Sequence, residues 1–209
     1  MPITSLNNMG VPTDGGNQVL LMPKLKYRFR VTLLGFGVSA STELTKQVKD
    51  VTRPKVTFEE ITLDVYNSKV YLAGKPSFET ITLTLRDDAT GEIQKLVGQQ
   101  IQKQFDFLEQ ASARSGIDYK FTTRIEVLDG GNGTLTPAIL ETINLYGCLV
   151  TNADYGDLNY ATNEEATVAL TIRFDNMDQT GVDNAGFGIG NSVARTLGTA
   201  VTGATTAQG

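Results

Sequence analysis

The sequence predicts a mainly β protein, an antiparallel β-sandwich or barrel with one flanking α-helix and extended N- and C-terminal arms. Three observations support this prediction. Several short segments alternate apolar and polar residues, which is typical of strands with one buried face. One segment instead repeats apolar residues at three- and four-residue steps, as an amphipathic helix does. Both ends are rich in small and polar residues and show no clear periodicity.

The first alternating segment follows the N-terminal arm. Phe29, Val31 and Leu33 fall on one face together with Tyr27, and mostly basic residues fall on the other. The cleanest strand spans residues 78–85, where isoleucine and leucine alternate with threonine. Three later strands are predicted to turn the following residues inward: Tyr119, Phe121, Thr123, Ile125 and Val127; Ile143, Leu145, Gly147 and Leu149; Ala166, Val168, Leu170, Ile172 and Phe174. Together these strands predict a sheet that packs on one side.

A long excursion separates the first two of these strands. Residues 38–49 are ambiguous, and Arg53-Pro54 should break any helix before it. Two β-rich runs follow at residues 56–65 and 69–72, and a turn is expected at residues 74–76. Such long segments between the strands of a compact domain usually have a function, so we expect this one to have one.

The helix is predicted near residues 92–113 and should end near Ser115-Gly116. Its apolar stripe comprises Ile93, Leu96, Val97, Ile101, Phe105 and Leu108. The chain then divides into an N-terminal arm at residues 1–22, a β-barrel domain at 23–178 and a Gly/Ala/Thr-rich C-terminal arm at 179–209. The strand pattern dissolves after Asp175, and we expect both arms to become ordered on neighbouring copies.

Composition excludes several kinds of site. The 209-residue, 22.6 kDa chain contains no histidine, which is the usual general base near neutral pH and the commonest metal ligand. Cys148 is its single cysteine, so we expect a small structural residue rather than a disulfide or a zinc cluster. We predict no catalytic residue, no cofactor and no metal. A hydrolase that uses carboxylates from different strands, tested at Glu59, Asp64 and Glu126, remains the alternative.

Charge is distributed unevenly along the chain. The net charge is −5, and no segment concentrates Lys and Arg as a nucleic-acid footprint does. Residues 24–30 are basic, whereas residues 151–209 hold seven carboxylates and two arginines. Ends of opposite sign suit head-to-tail contacts between copies, with a merely solvated surface as the alternative. No apolar run is long enough to cross a bilayer, so we expect no membrane insertion.

The predicted strands also have a polar face. Opposite the apolar sides, two strands carry mostly polar residues: Lys120, Thr122, Arg124 and Glu126; Thr167, Thr171, Arg173 and Asp175. If copies arrange in a ring, such a face can line a water-filled bore while the apolar face packs the core of each subunit. A closed ring would also remove exposed strand edges.

Three stretches carry more specific motifs. They are KYRFRVTLLGFG at 26–37, RPKVTFEEITLDVYNSKVYLAGKPSFETITLTLRDD at 53–88 and YGDLNYATNEEATVALTIRFDN at 155–176. The motifs within them are Arg53-Pro54, Tyr66-Asn67, Ala73-Gly74-Lys75, Phe78, Arg86-Asp87, Gly156-Asp157-Leu158 and Tyr160. Over most of residues 26–176 the chain thereby resembles the tail tube proteins of contractile-tailed, T4-like bacteriophages.

The resemblance implies a structural virion protein that forms hexameric rings, stacked helically into an inner tail tube through which DNA is ejected. The long excursion would reach the next ring. The implied partners are the tail sheath protein, the tape measure protein, baseplate tube-initiator proteins and DNA in transit without sequence-specific binding, with assembly in the host cytoplasm. A tube-like baseplate adaptor or initiator, or a type VI secretion-like tube protein, is the alternative.

Three sets of residues are predicted to contact other copies or to line the bore. The ring-stacking loop comprises Glu43, Lys46, Lys49, Asp50, Arg53 and Lys55. The lumen-lining candidates are Glu59, Asp64, Lys120, Thr122, Arg124 and Glu126. The intersubunit C-terminal arm contributes Phe187, Ile189, Val193 and Arg195. Carboxylates in the lumen would repel phosphates and keep DNA from adhering.

Overall fold

The computed structural model describes residues 23–38, 41–44, 46–130, 137–161, 163–181 and 189. Within these ranges the fold is mainly β, as predicted, and α1 is the flanking helix. The elements in chain order are β1 (Phe29–Leu34), β2 (Ser41–Glu43), β3 (Val48–Val51), β4 (Val56–Val65), β5 (Ser68–Phe78), β6 (Ile81–Arg86), α1 (Glu92–Gln104), β7 (Phe105–Asp106), β8 (Ala111–Ser112), α2 (Gly116–Tyr119), β9 (Phe121–Leu128), β10 (Ile139–Asp154), β11 (Thr167–Arg173) and β12 (Asn176–Gly181).

Eight strands form one antiparallel sheet that folds into two layers. Its strand order is β2-β1-β9-β10-β11-β6-β3, with β12 also paired to β10. The long strand β10 belongs to both layers, because its first part pairs with β9 and β12 and its last part pairs with β11. One cluster of buried side chains from both layers and α1 forms the core, where Leu33, Leu83, Leu145 and Leu170 are completely buried. We call these two layers and α1 the body.

The predicted alternation is confirmed where the strands are regular. Ile81, Leu83 and Leu85 of β6 are buried, and the intervening threonines are only partly so. The predicted inward residues from Val168 to Phe174 are buried in the same way. Two other residues predicted to face inward lie outside their strands: Ala166 precedes β11 and is exposed, and Tyr119 belongs to α2 and is only partly buried. In these strands the apolar side predicted by the period of two is the side that packs against the second layer.

The inward face predicted for β10 is wrong beyond Leu145. The register to β9 shifts between Leu145 and Cys148, and Gly147 has a φ of 66°, in the left-handed region. Such a bulge reverses which side chains face inward, so Cys148 is buried and Leu149 is not. A Cβ at position 147 would collide with the Asp175 carboxylate, so this corner requires glycine.

The helix is shorter than predicted. It ends at Gln104, because Phe105 adopts an extended conformation and begins the short hairpin of β7 and β8. The Asp106 side chain accepts hydrogen bonds from the backbone N–H groups of Glu109 and Leu108, which also lower the pKa of Asp106. Local bonds of this kind compete with helix formation. Leu108, predicted to lie in the apolar stripe, is consequently 93% exposed.

The residues predicted to end that helix begin another one. The Ser115 side chain accepts a hydrogen bond from the N–H of Ile117, and the Asp118 carboxylate accepts one from the N–H of Ser115. This reciprocal capping box starts α2 at Gly116. Neither helix in the described part of the chain is long and apolar enough to span a bilayer.

Residues 56–78 form one continuous hairpin of β4 and β5 that turns at Tyr66 and Asn67. β5 runs through residues 74–76, where the sequence predicts a turn. The register shifts just after Phe58, and Gly74 lies close against the Glu59 carbonyl at this bulge. The bulge thus accommodates the residues that otherwise signal a turn.

The strand pattern continues after Asp175, contrary to the prediction. β12 pairs with β10 from Tyr146 opposite Asn176 to Glu141 opposite Gly181. Its sequence, NMDQTG, lacks an apolar alternation, and of its residues only Met177 is buried. Pairing with β10, rather than a pattern of its own, makes this segment a strand. It passes the predicted domain boundary at 178, while the division into domain and arms stays a prediction.

Candidate functional site

Four neighbouring strands, β1, β9, β10 and β12, present a continuous set of polar side chains opposite the core. The cross-strand register aligns these residues, which we call the polar face: Arg30, Thr32, Thr122, Arg124, Glu126, Thr142, Asn144, Tyr146, Asn176, Asp178 and Thr180. Directly opposite residues on antiparallel strands point to the same side of a sheet. The polar face therefore extends across these four strands.

Carboxylates on the polar face are bonded within the chain. Glu126 is nearly buried, with its carboxylate 2.5 Å from Nε of Arg30. Asn144 accepts a hydrogen bond from Nε of Arg124 and donates one to Asp178 at 2.8 Å. The Tyr146 hydroxyl donates to the other oxygen of Asp178, which raises the pKa of Tyr146. The face is polar but its charges are largely internally compensated.

One margin of the polar face carries an ion pair. Lys120, at the end of α2, pairs with the Asp175 carboxylate, which lies against Gly147. The hydrogen bond to Asp175 raises the pKa of Lys120. The ion pair therefore links the end of α2 to the segment after β11, next to the point where β10 passes between the two layers.

The structure divides the predicted lumen-lining set. Thr122, Arg124 and Glu126 lie together on the polar face, and Lys120 lies at its margin. Glu59 and Asp64 lie on β4, in the separate two-stranded sheet. Their assignment to a lumen stays a prediction, and so does that of the other four.

The hairpin of β4 and β5 pairs with no other described strand. Its register places one set of apolar residues on the same side: Ile61, Leu63, Val65, Val70 and Leu72. These side chains are 44–53% exposed, and Tyr66 at the turn is fully exposed. A free two-stranded hairpin is only marginally stable in water, so this apolar side is a candidate contact surface.

The predicted stacking residues lie between the body and the hairpin. Glu43 lies in β2 and Lys46 in the following turn, while Lys49 and Asp50 lie on β3 rather than on a loop; Arg53 and Lys55 lie between β3 and β4. Three of the cations are paired within the chain: Lys49 with Glu165 at 3.1 Å, Arg53 with Glu141 at 3.6 Å and Lys55 with Glu79 at 3.2 Å. Their role in stacking stays a prediction.

Sequence reasoning missed a buried carboxylate, Glu141. It is 6% exposed and receives hydrogen bonds from Lys24 at 2.6 Å and Gln179 at 2.5 Å, with Arg53 at 3.6 Å. Burial raises the pKa of Glu141, but the hydrogen bonds and the two cations outweigh burial and lower it. The sequence contained one sign of this burial: Glu141 lies two residues before Ile143 on β10, so both side chains point to the same, buried side. Glu141 joins four chain segments: the entry to β1, the segment before β4, β10 and β12.

The predicted arms are only partly described. Ile189 is 45% exposed, and its carbonyl accepts a hydrogen bond from the N–H of Gln179 at 2.8 Å. Phe187, Val193 and Arg195, like residues 1–22, lie outside the described residues. The proposed contact of this arm with another subunit stays a prediction.

The described residues contain no group of three His, Cys, Asp or Glu side chains suited to a metal ion. Glu126 is engaged by Arg30, and it lies in a different sheet from Glu59 and Asp64. Burial raises the pKa of the Cys148 thiol, consistent with the structural role predicted for it.

Sequence comparison matches neither a family model nor a curated protein. Fold comparison does give matches, at low identity. A chain in the cryo-EM structure of the anti-feeding prophage baseplate has a TM-score of 0.61 and 16% identity, over 78% of this chain and 99% of that chain. A chain in the tube-terminating cap of the same particle has a TM-score of 0.58 and 14% identity, over 82% and 100%.

A third similar chain belongs to the sheath–tube complex of an extracellular contractile injection system, PVC, in its extended state. Its TM-score is 0.53 and its identity 16%, over 86% of this chain and 100% of that chain. The matched chains are covered almost completely, so the likeness extends over their whole fold. This protein therefore has the fold of chains found in the baseplate, cap and sheath–tube parts of contractile injection systems.

Proposed function

We propose that this protein is a non-enzymatic, ring-forming component of the tube of a contractile tail or injection particle. One observation carries the proposal: the layer of β1, β9, β10 and β12 has a buried apolar side, a polar face and open edges. Copies joined edge to edge would form a continuous wall with the polar face toward a water-filled bore. Six copies per ring, stacked helically, follow from the resemblance to T4-like tail tubes.

The layer has two edges at which the described strand pairing is incomplete. On one side β12 pairs with β10 and with no other described strand, although the N–H of Gln179 on β12 already donates to the Ile189 carbonyl. On the other side the described pairing of β2 with β1 runs only from Thr32 to Leu34. Exposed edges are templates for pairing with another chain, and closing a ring removes them. The edge of one copy and the opposite edge of the next form a heterologous contact, the kind that generates rings.

The hairpin of β4 and β5 supplies the proposed contact between rings. At about 3.3 Å per residue, its ten-residue strand β4 is roughly 33 Å long. The side chains of its apolar side are 44–53% exposed in the single chain. We assign stacking to this hairpin together with the predicted residues at 43–55 that lead into it.

The polar face suits passage rather than binding. Glu126, Asp175 and Asp178 each have a partner within the chain, and so do Arg30, Arg124 and Lys120. Tight DNA binding requires clustered cations that are available to phosphates. We therefore propose a conduit for DNA, with a tape measure protein inside the tube before ejection, a sheath outside it and tube initiators in the baseplate, in a virion assembled in the host cytoplasm.

A second candidate is a baseplate adaptor or cap-like ring, or a type VI secretion-like tube protein. The likeness to the anti-feeding prophage baseplate chain, with a TM-score of 0.61 against 0.53 for the sheath–tube chain, favours the adaptor. Negative-stain microscopy of the purified full chain tests both candidates. Long uniform cylinders support the main tube, and rings that stop after one or two layers support the adaptor. Monomers at high concentration would contradict both.

A further inference from the structure

A groove opens between the entry to β1, strand β3 and strand β9. Its volume is about 860 Å³, which is in the range of sites that hold a ligand or several side chains. Its floor includes Phe29, Val48, Val51 and Ile125, which also belong to or pack against the core. The groove therefore offers an apolar surface that is continuous with the interior of the body.

Cations surround this floor. The groove is lined by Lys24, Lys26, Arg28, Lys49 and Arg53, and by one carboxylate, Asp50. Three of these cations are already ion-paired within the chain, Lys24 and Arg53 with Glu141 and Lys49 with Glu165, so Lys26 and Arg28 are the two that would meet the charge of a partner. Lys26 is exposed and forms no ion pair with the residues that the structure describes, and Arg28 lies over the Tyr27 ring at 5.4 Å. We call this site the basic groove, and its chemistry favours an acidic partner with apolar side chains.

A surface of matching chemistry lies on the loop between β10 and β11. Leu158 is 92% exposed and Tyr160 is fully exposed, so both make almost no contact with their own chain. Residues 155–165 contain three carboxylates and neither lysine nor arginine. Glu165 at the end of this segment pairs with Lys49 and Arg86 of its own chain, so Asp157 and Glu164 are the carboxylates offered to a partner. Exposed leucine and tyrosine side chains within a charged loop are suited to anchor a contact between proteins. We call residues 155–165 the acidic loop.

We propose that the acidic loop of one copy docks in the basic groove of a second copy, with Leu158 and Tyr160 on the apolar floor. Charge selects this occupant over the hairpin, because residues 56–78 carry Lys69 and Lys75 beside three carboxylates. Loop and groove are different surfaces, so the contact is heterologous and can build rings or filaments. The proposal rests on the proposed function only in taking a second copy as the partner.

Thiol cross-linking between full-length chains tests this docking. Cys148 is buried, so single substitutions provide the reactive thiols. A mixture of Lys26→Cys and Leu158→Cys chains, treated with a short bismaleimide, should give a covalent heterodimer on denaturing gels. The matched control replaces Leu158→Cys with Ile117→Cys, which puts a thiol at another highly exposed apolar position, on α2. Adding Tyr160→Ser to the Leu158→Cys chain should lower the heterodimer yield at least about tenfold, as loss of an anchor residue does.

The outcomes separate this inference from the proposed function. The specific heterodimer without rings or cylinders supports the docking and contradicts the tube. Rings or cylinders of the variants with one added cysteine, without that heterodimer, overturn the docking and leave the tube intact. A stronger cross-link from Lys26→Cys to Tyr66→Cys would show that the hairpin occupies the groove. A chain carrying both Lys26→Cys and Leu158→Cys that cross-links only within itself, independently of dilution, would likewise overturn the proposal.

Discussion

The body and the hairpin of β4 and β5 use similar residues but bury them differently. Both are antiparallel and rich in aliphatic side chains at alternate positions. In the body, Leu83 and Leu170 are completely buried between two layers and α1. In the hairpin, Leu63 and Val70 are 45% and 44% exposed, although they face each other across the two strands.

This difference shows that alternation by itself does not create a core. A strand buries its apolar side only when a second layer covers it, and two strands alone provide no such layer. The body obtains its cover from its own chain. The described residues give the hairpin no second layer, which is why we propose that it serves assembly rather than the stability of the single chain.

The largest effect is expected on the free energy of unfolding when one leucine of the body, rather than one of the hairpin, is replaced by alanine. Leu170→Ala should lower the free energy of unfolding by about 2–5 kcal/mol, because it leaves a cavity at a completely buried site. Leu63→Ala should cost less than about 1 kcal/mol in the monomer, because its side chain is already 45% exposed. Urea denaturation of dilute protein measures both. Equal losses would mean that the hairpin belongs to the cooperative unit of the body, against the comparison.

An intermediate effect is expected at the corner of β10. Gly147→Ala should destabilise the protein by roughly 1–3 kcal/mol, because alanine disfavours a φ of 66° and its Cβ would collide with Asp175. Gly98→Ala is the matched control, since a Cβ there meets nothing within 4 Å and alanine favours the helix by about 0.5–1 kcal/mol. Thermal unfolding compares the two. An unchanged melting temperature for Gly147→Ala would show that the corner tolerates another geometry.

The smallest effect concerns Glu141, which joins the body to the segment leading into the hairpin. Its pKa in the folded protein lies below the ordinary value of 4.5, so its carboxylate contributes stability above about pH 4.5 that is lost as the pH falls through the folded pKa. Glu141→Gln should therefore cost about 1–2 kcal/mol at pH 7 and progressively less in acid. Urea denaturation from pH 7 to pH 3 measures this, with the exposed Glu109→Gln as control. A constant difference across that range would contradict the ionised role of Glu141.

Sequence patterns were reliable where a strand or helix is regular. The alternation of Ile81, Leu83 and Leu85 predicts their burial correctly, and the helical spacing correctly predicts that Ile93 and Val97 face the core. The errors occur where a local bond or a partner strand overrides the pattern. Asp106 ends α1 early, Gly147 reverses the phase of β10, and β12 exists because β10 lies beside it.

In the candidate site, too, the sequence predicts which residues share a face but not which of them are buried by distant residues. The polar alternation of β9 predicts that Thr122, Arg124 and Glu126 share one face, and their register confirms this. The sequence could not show that Glu126 is nearly buried beneath Arg30, because the two residues are 96 positions apart along the chain. The approach of Lys24 and Arg53 to Glu141 depends on the same kind of long-range packing.

Composition and the period of side chains along a strand were enough to predict the class of fold, which side of each regular strand is apolar, and the lack of histidine chemistry. Tertiary structure decided which polar groups are buried in pairs, where β10 changes layers and which apolar surfaces remain uncovered. These properties depend on contacts between residues distant in sequence, and no local pattern encodes such contacts.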